Sequence, residues 1–296
     1  MIEPGAGRGK GPLVVLATYV VATAAAVGAG WLVRDAHPIV IALVADAVAT
    51  VVVFGFSVAF DNSSLYDPYW SVAPPAIALW FSLVPMSGPA PLPRMLVVDA
   101  LVVLWGIRLT YNWYRQWRGL DHEDWRYVDL RRKHGRAYWA VSFAGIHFFP
   151  TALTFLGSLS LYPALAAGTS LFGWLDAVAL VVTGGAIWIE SAADRQLRNF
   201  VTGPRQPGEI MDRGVWAYSR HPNYFGEIAF WWGLWLFGLS ANPDFWWTAV
   251  GPLSITVLFV FISIPMMEER MVERRPHFSE HQRRVSMLVP WPPKRK

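Results

Sequence analysis

The chain has 296 residues, of which 54% are hydrophobic and 16% charged, with 17 Trp, 17 Phe and 10 Tyr. That balance excludes an ordinary water-soluble enzyme and a disordered chain, because the few charges are bunched between long uncharged runs as in proteins that cross a bilayer repeatedly. The absence of Cys excludes a disulfide framework, a thiolate nucleophile and a cysteine-based metal centre, and no metal is expected.

A helix needs about 20 apolar residues to cross about 30 Å of hydrocarbon, and eight runs qualify or come close. They are 13–33, 38–60 with Asp46, the Pro-interrupted 72–86, 93–113 with Asp99 and Arg108, 139–162 with His147 and Pro150, 172–193, 225–239 and 245–267. The expected fold class is all-α, a polytopic integral membrane bundle of 7–8 helices. The count depends on the first run, which ends in small residues like a signal peptide but reads as a retained anchor. With the amino terminus inside, 22 of the 25 Lys and Arg fall in inner segments, against Arg34 and Arg94 outside and Arg108 within a run. The positive-inside rule then places both termini in the cytoplasm. Basicity so distributed reports topology, so the expected partners are membrane lipids and not nucleic acid. The Gly-rich run at 5–11 lacks the spacing of a phosphate loop and reads as solvated tail.

This gives a layout of a cytoplasmic tail (1–12), amino-terminal membrane helices (13–113) carrying a polar segment at 61–74, a basic cytoplasmic loop (114–138), and a carboxyl-terminal membrane half (139–296). Ionisable residues beside apolar runs are costly and point to function, and here they gather at the inner ends. Glu190, Asp194 and Arg198 recur every four residues on one helix face. The segment 212–227 contains Tyr-Ser-Arg-His-Pro-Asn-Tyr-Phe-Gly-Glu. Pro222 suits a first helical turn capped by Ser219 or His221, and Arg220 and His221 beside its free N–H groups form an expected anion site. Asn223 and Glu227 follow on one face. Arg270, after the last run, is placed to reach a ligand phosphate.

On these residues the chain resembles the steroid 5-alpha-reductase family, and more closely its bacterial relatives that carry a domain of unknown function. The resemblance rests on Ser-Leu-Tyr-Asp-Pro-Tyr-Trp-Ser at 64–71, Trp-Gly-Ile-Arg-Leu at 105–109, Glu-Asp-Trp-Arg-Tyr at 123–127, Asp-Arg-Gln-Leu-Arg at 194–198, the stretch 218–227 and a closing Pro-Trp-Pro. It implies a membrane reductase in the bacterial inner membrane that binds NADPH from the cytoplasmic side without a Rossmann domain. Such an enzyme reduces a carbon–carbon double bond conjugated to a carbonyl in a lipophilic, steroid-like or isoprenoid substrate. Carried over by position, Glu190, Asp194, Arg198, Asn223, Tyr224 and Glu227 look like cofactor contacts, with Arg270 and His281 closing over the cofactor, and Arg205, Arg220 and His221 are expected to join them. Asp67 resembles the substrate-side carboxylate. The chain departs from the pattern in having His281 where relatives usually have Tyr, Asp67 where the steroid enzymes have Glu, and an additional first span.

Hydride transfer to an enone builds negative charge on the carbonyl oxygen, which calls for a donor there and a proton for the alpha carbon. A desolvated carboxyl can keep the proton that this requires, making Asp67 the expected catalytic acid with Tyr111 as its partner. Asp67 before Pro68 also suits a helix cap. The alternative reading is a membrane methyltransferase of the isoprenylcysteine or phospholipid type using S-adenosylmethionine, since Arg220-His-Pro-x-Tyr224 followed by Glu268-Glu269 fits that pattern too.

Overall fold

A computed structural model describes residues 9–84, 92–168, 170–206, 208–275 and 277–294, and the expected tail before residue 9 lies outside them. Among the described residues every regular element is helical. The first half contains α1 (Gly11–Leu32), α2 (Pro38–Ala59), α3 (Tyr69–Leu83), α4 (Leu92–Gln116), α5 (Trp125–His134), α6 (Tyr138–Ser142) and α7 (Phe149–Ser158). The second half contains α8 (Trp174–Thr202), α9 (Pro222–Ala241), α10 (Val250–Leu258), α11 (Ile264–Arg274) and α12 (Phe278–Arg284). Helices thus stand on all eight apolar runs. Among the described residues five stretches are long and apolar enough to cross a membrane: Gly11–Leu32, Pro38–Ala59, Trp125–Ala167, Trp174–Thr202 and Pro243–Arg274.

α1 and α2 form a peripheral pair, α1 turning Leu13, Leu16, Val20 and Val27 outward, which in water would be an aggregation surface and in lipid is the ordinary state. The run expected as one span at 139–162 is broken. Wider π-turns at Phe143–Phe148 and Pro163–Ala167 flank α7, and a third at Phe259–Ser263 joins α10 to α11. Pro150, Pro163 and Pro265 stand at these interruptions, each without an N–H to give to the regular ladder.

The centre of the bundle is α9, whose Phe230, Trp231, Leu234 and Phe237 are fully buried, with Trp105 of α4 stacked on Phe230 at 4.6 Å. α8 lies against α9 so closely that a Cβ on Gly226 would stand 2.8 Å from the Cβ of Glu190. Only a residue without a side chain lets Glu190 and Glu227 face each other across this seam. α4 joins α8 by two ion pairs, Arg94 with Asp176 and, fourteen residues further along each helix (94 to 108, 176 to 190), Arg108 with Glu190. Equal advance along both chains means that α4 and α8 run parallel, and at 1.5 Å per residue the pairs are about 21 Å apart along the axis.

Candidate functional site

The inner pair opens a polar cluster inside the bundle. Arg108 from α4 sets Nη2 2.6 Å from Oε1 of Glu190 and donates from Nη1 to Oδ2 of Asp194 at 2.7 Å. Asn112, one turn on, donates to the same Asp194 oxygen at 3.1 Å. Across the α8–α9 seam, Glu227 accepts three indole N–H bonds, from Trp70 of α3 at 3.2 Å, Trp105 of α4 at 3.0 Å and Trp231 of its own helix at 2.9 Å. Neutral donors satisfy that carboxylate without cancelling its charge. Among the described residues other polar atoms have no partner: Oε2 of Glu190, Nε of Arg108 and Oδ1 of Asn223 are buried and unbonded, and Nη2 of Arg108 touches Glu190 without hydrogen-bond alignment. A buried polar atom left so costs about 1–3 kcal/mol, so each of these groups calls for an explanation.

The rim at the start of α9 is arranged differently. Arg220 donates to both oxygens of Glu268, at 2.6 and 3.3 Å, and to the carbonyls of Gln282 and Val285, while His221 Nε2 lies 3.0 Å from the same carboxylate. Gln282 adds a bond to Glu268 at 2.7 Å. Ser219 accepts the His221 N–H and donates to the carbonyl of Leu288, and Trp291 N–H donates to Tyr218. The expected anion site at the start of α9 is therefore filled by the chain's own Glu268, and Arg220 and His221 latch the carboxyl-terminal segment down. Tyr224 lies parallel to the His221 ring at 5.4 Å. His281 is half-buried, and burial lowers its pKa against the opposing pull of Asp212. Arg198 is half-buried and Arg205 exposed, and neither is in an ion pair among the described residues. Arg270 lies 3.4 Å over the Trp125 ring of α5, with Asp129 at 3.8 Å.

Asp67 lies in the turn before α3. Its carboxyl accepts the Tyr127 hydroxyl of α5 at 2.6 Å, and burial pushes its pKa up to about 7 in spite of that bond and of the nearby Arg126. It does not cap α3, whose cap position is Pro68. The structure brings Tyr127 and not Tyr111 to Asp67, because Tyr111 faces outward beneath the guanidinium of Arg115. Trp70, one turn beyond Asp67, bonds Glu227 and so ties the Asp67 turn to the α8–α9 cluster.

The chain belongs to the DUF1295 family. That family is described as proteins of unknown function, and its model matches residues 53–285, which enclose the whole set from Asp67 to His281. An uncharacterized protein of Schizosaccharomyces pombe is similar, at 27% identity over 280 residues, covering 86% of this chain and 80% of that one. No solved structure matches.

Within this DUF1295 member, sequence reasoning missed Arg108, Asn112, Trp70, Trp105 and Tyr127. Arg108 had a signal, since an arginine inside an apolar run needs a carboxylate partner and Glu190 and Asp194 were in view. Tyr127 gave none, being 60 positions from Asp67. A groove of about 520 Å³, lined by Pro265, Glu268, Glu269, Glu273 and Gln282 among others, opens beside the latch instead of over Glu190. The unpartnered atoms, and not that groove, carry the chemical information.

Proposed function

We propose that this protein is an NADPH-dependent membrane reductase of a conjugated carbon–carbon double bond in a lipophilic, steroid-like or isoprenoid substrate. It works as a bundle of seven to eight spans, with both termini and the cofactor mouth on the cytoplasmic side. The observation that carries the reading is the set of unpartnered polar atoms on Arg108, Glu190 and Asn223. An open N–H on Arg108 beside an open carboxylate oxygen on Glu190 suits a carboxamide, which accepts and donates from one planar group, and the nicotinamide end of the cofactor carries one. The parallel course of α4 and α8 accords with their being even-numbered spans, and the 22 inner Lys and Arg accord with the sidedness.

When bound, the nicotinamide supplies the hydride for the double bond. The residues of the chain do the remainder. Glu190, Asn223 and Arg108 orient the carboxamide, while Arg198 and Arg205 attract phosphates from the inner side. Asp67, protonated below about pH 7 and paired with Tyr127, polarises the substrate carbonyl and holds a proton where charge develops.

One observation favours the methyltransferase reading: Glu268 meets both Arg220 and His221, the residues on which that pattern rests. Calorimetry on detergent-purified protein separates the two. We expect NADPH to bind, and to bind more tightly than NADH. Binding of S-adenosylmethionine without binding of NADPH would replace the first reading by the second.

A further inference from the structure

Two carboxylates, those of Glu190 and Asp194, share one guanidinium, that of Arg108, inside the bundle, and a third, that of Glu227, stands across the α8–α9 seam on indole donors. Glu190 and Glu227 are each only 4% exposed. The indole donors around Glu227 bring no positive charge. With every group in its charged form the four carry two negative charges in excess, which a proton or a cation can offset. Burying a net charge is unfavourable unless something of opposite sign joins it, and Oε2 of Glu190 is unpartnered.

We propose that this buried end is built for a positively charged ligand group, so that the oxidised dinucleotide, whose nicotinamide ring is cationic, binds more tightly than the reduced one. The inference rests on the reductase reading and adds to it a direction for the cofactor. Arg195, Arg198 and Arg205 lie on or just past the inner part of α8 without ion pairs among the described residues, and they suit the phosphates. The ring is then left for the acidic end, where Trp70 reaches Glu227 from the turn that carries Asp67. Hydride loss turns a neutral ring into a cation, so the acidic end stabilises the state that follows transfer and holds the spent cofactor.

The test is the ratio of two dissociation constants, measured by calorimetry or tryptophan fluorescence on purified full-length protein without substrate. NADP+ should bind on the order of tenfold more tightly than NADPH, a modest effect for charges close together in a partly desolvated site. Glu190→Gln should narrow the ratio by weakening NADP+ several-fold more than NADPH, and Asp194→Asn should act in the same direction. Equal binding of the two forms by the parent protein, or tighter binding of NADPH, overturns the inference while sparing the reductase reading. If neither form binds, the reductase reading fails. The charge argument is then decided by S-adenosylmethionine, a sulfonium cation, against neutral S-adenosylhomocysteine, and equal binding or no binding of that pair overturns it too. A melting curve of each variant matching that of the parent shows that a changed ratio comes from charge and not from unfolding.

Discussion

α4 and α8 are joined twice by a buried arginine and acid, and the two joints are opposites. At the outer one, Arg94 donates to both oxygens of Asp176, at 2.7 and 2.9 Å, and to the carbonyls of Ser170 and Leu171, while Asp176 also accepts from the Gly173 N–H and the Ser240 hydroxyl. Charge balances and both side chains are fully buried. At the inner joint one guanidinium faces two acids, a third acid stands across the seam, and polar atoms are left open. The same helices and the same residue types thus make a closed clamp at one end and an open joint at the other. The difference separates a joint whose polar groups are satisfied from one whose groups are not, without appeal to residue identity.

The largest effect should come from breaking the closed joint. Asp176→Ala leaves Arg94 charged and buried, which costs about 3–5 kcal/mol, enough to abolish a folded state in detergent. Replacing both partners with apolar residues should recover most of the loss. Glu190→Gln at the open joint should leave the melting temperature unchanged or raise it, because it removes excess buried charge. If Glu190→Gln melts as early as Asp176→Ala, the two joints are of one kind and the distinction fails.

Asp67 tests whether the open region extends to the substrate side. Asp67→Ala should reduce turnover about a hundredfold, the scale of one oxyanion donor, and Asp67→Asn should keep part of it, with NADPH affinity barely moved in either. Loss of NADPH binding equal to the loss of turnover would place Asp67 among the cofactor contacts. Burial lifts this carboxyl from 3.8 to about 7, so its acid form prevails below that pH and turnover should fall as pH rises through about 7. The stability it contributes has the same sign, full below about pH 4 and lost as pH rises through about 7. The falling limb should vanish in Asp67→Asn.

How much of this was legible in the sequence follows from the range of each interaction. The helices were, because hydrophobic runs of spanning length are local. So was the concentration of acids at 190 and 194, which lie one helical turn apart. The breaks beside Pro150, Pro163 and Pro265 were not, since a proline inside an apolar run tells of a lost bond but not of the wider turn that absorbs it. Arg94 was taken as an outer loop charge counted for topology, whereas it is fully buried on Asp176, 82 positions away. Arg220 and His221 were read as an open anion site, but Glu268 fills it from 47 or 48 positions further on. In each case an isolated charge looked available because its partner was distant in sequence.

The latch at the start of α9 belongs with the closed kind. Glu268→Gln withdraws charge from Arg220, His221 and Gln282 together, and a loss of about 1–3 kcal/mol should release the segment after α12. The readout is faster proteolytic cleavage within residues 285–294 at unchanged cleavage elsewhere. Cleavage at the parent rate would mean that the backbone bonds at Ser286, Leu288 and Trp291 hold the segment without Glu268.

The smallest effect separates two tyrosines. Tyr127 gives its hydroxyl to Asp67 at 2.6 Å, a bond that favours the ionised carboxyl and holds the pKa below where burial alone would leave it. Tyr127→Phe removes that bond and should move the falling limb of the pH profile to higher pH, by less than about 1 pH unit for one hydrogen bond of ordinary strength. Tyr111→Phe should change neither limb nor turnover, because its ring faces outward beneath Arg115 and its exposure is 57%. The opposite result, a shifted limb with Tyr111→Phe and none with Tyr127→Phe, would mean that α4 turns Tyr111 inward when substrate is bound. The Asp67 turn would then be rebuilt around the substrate instead of being set in advance by α5.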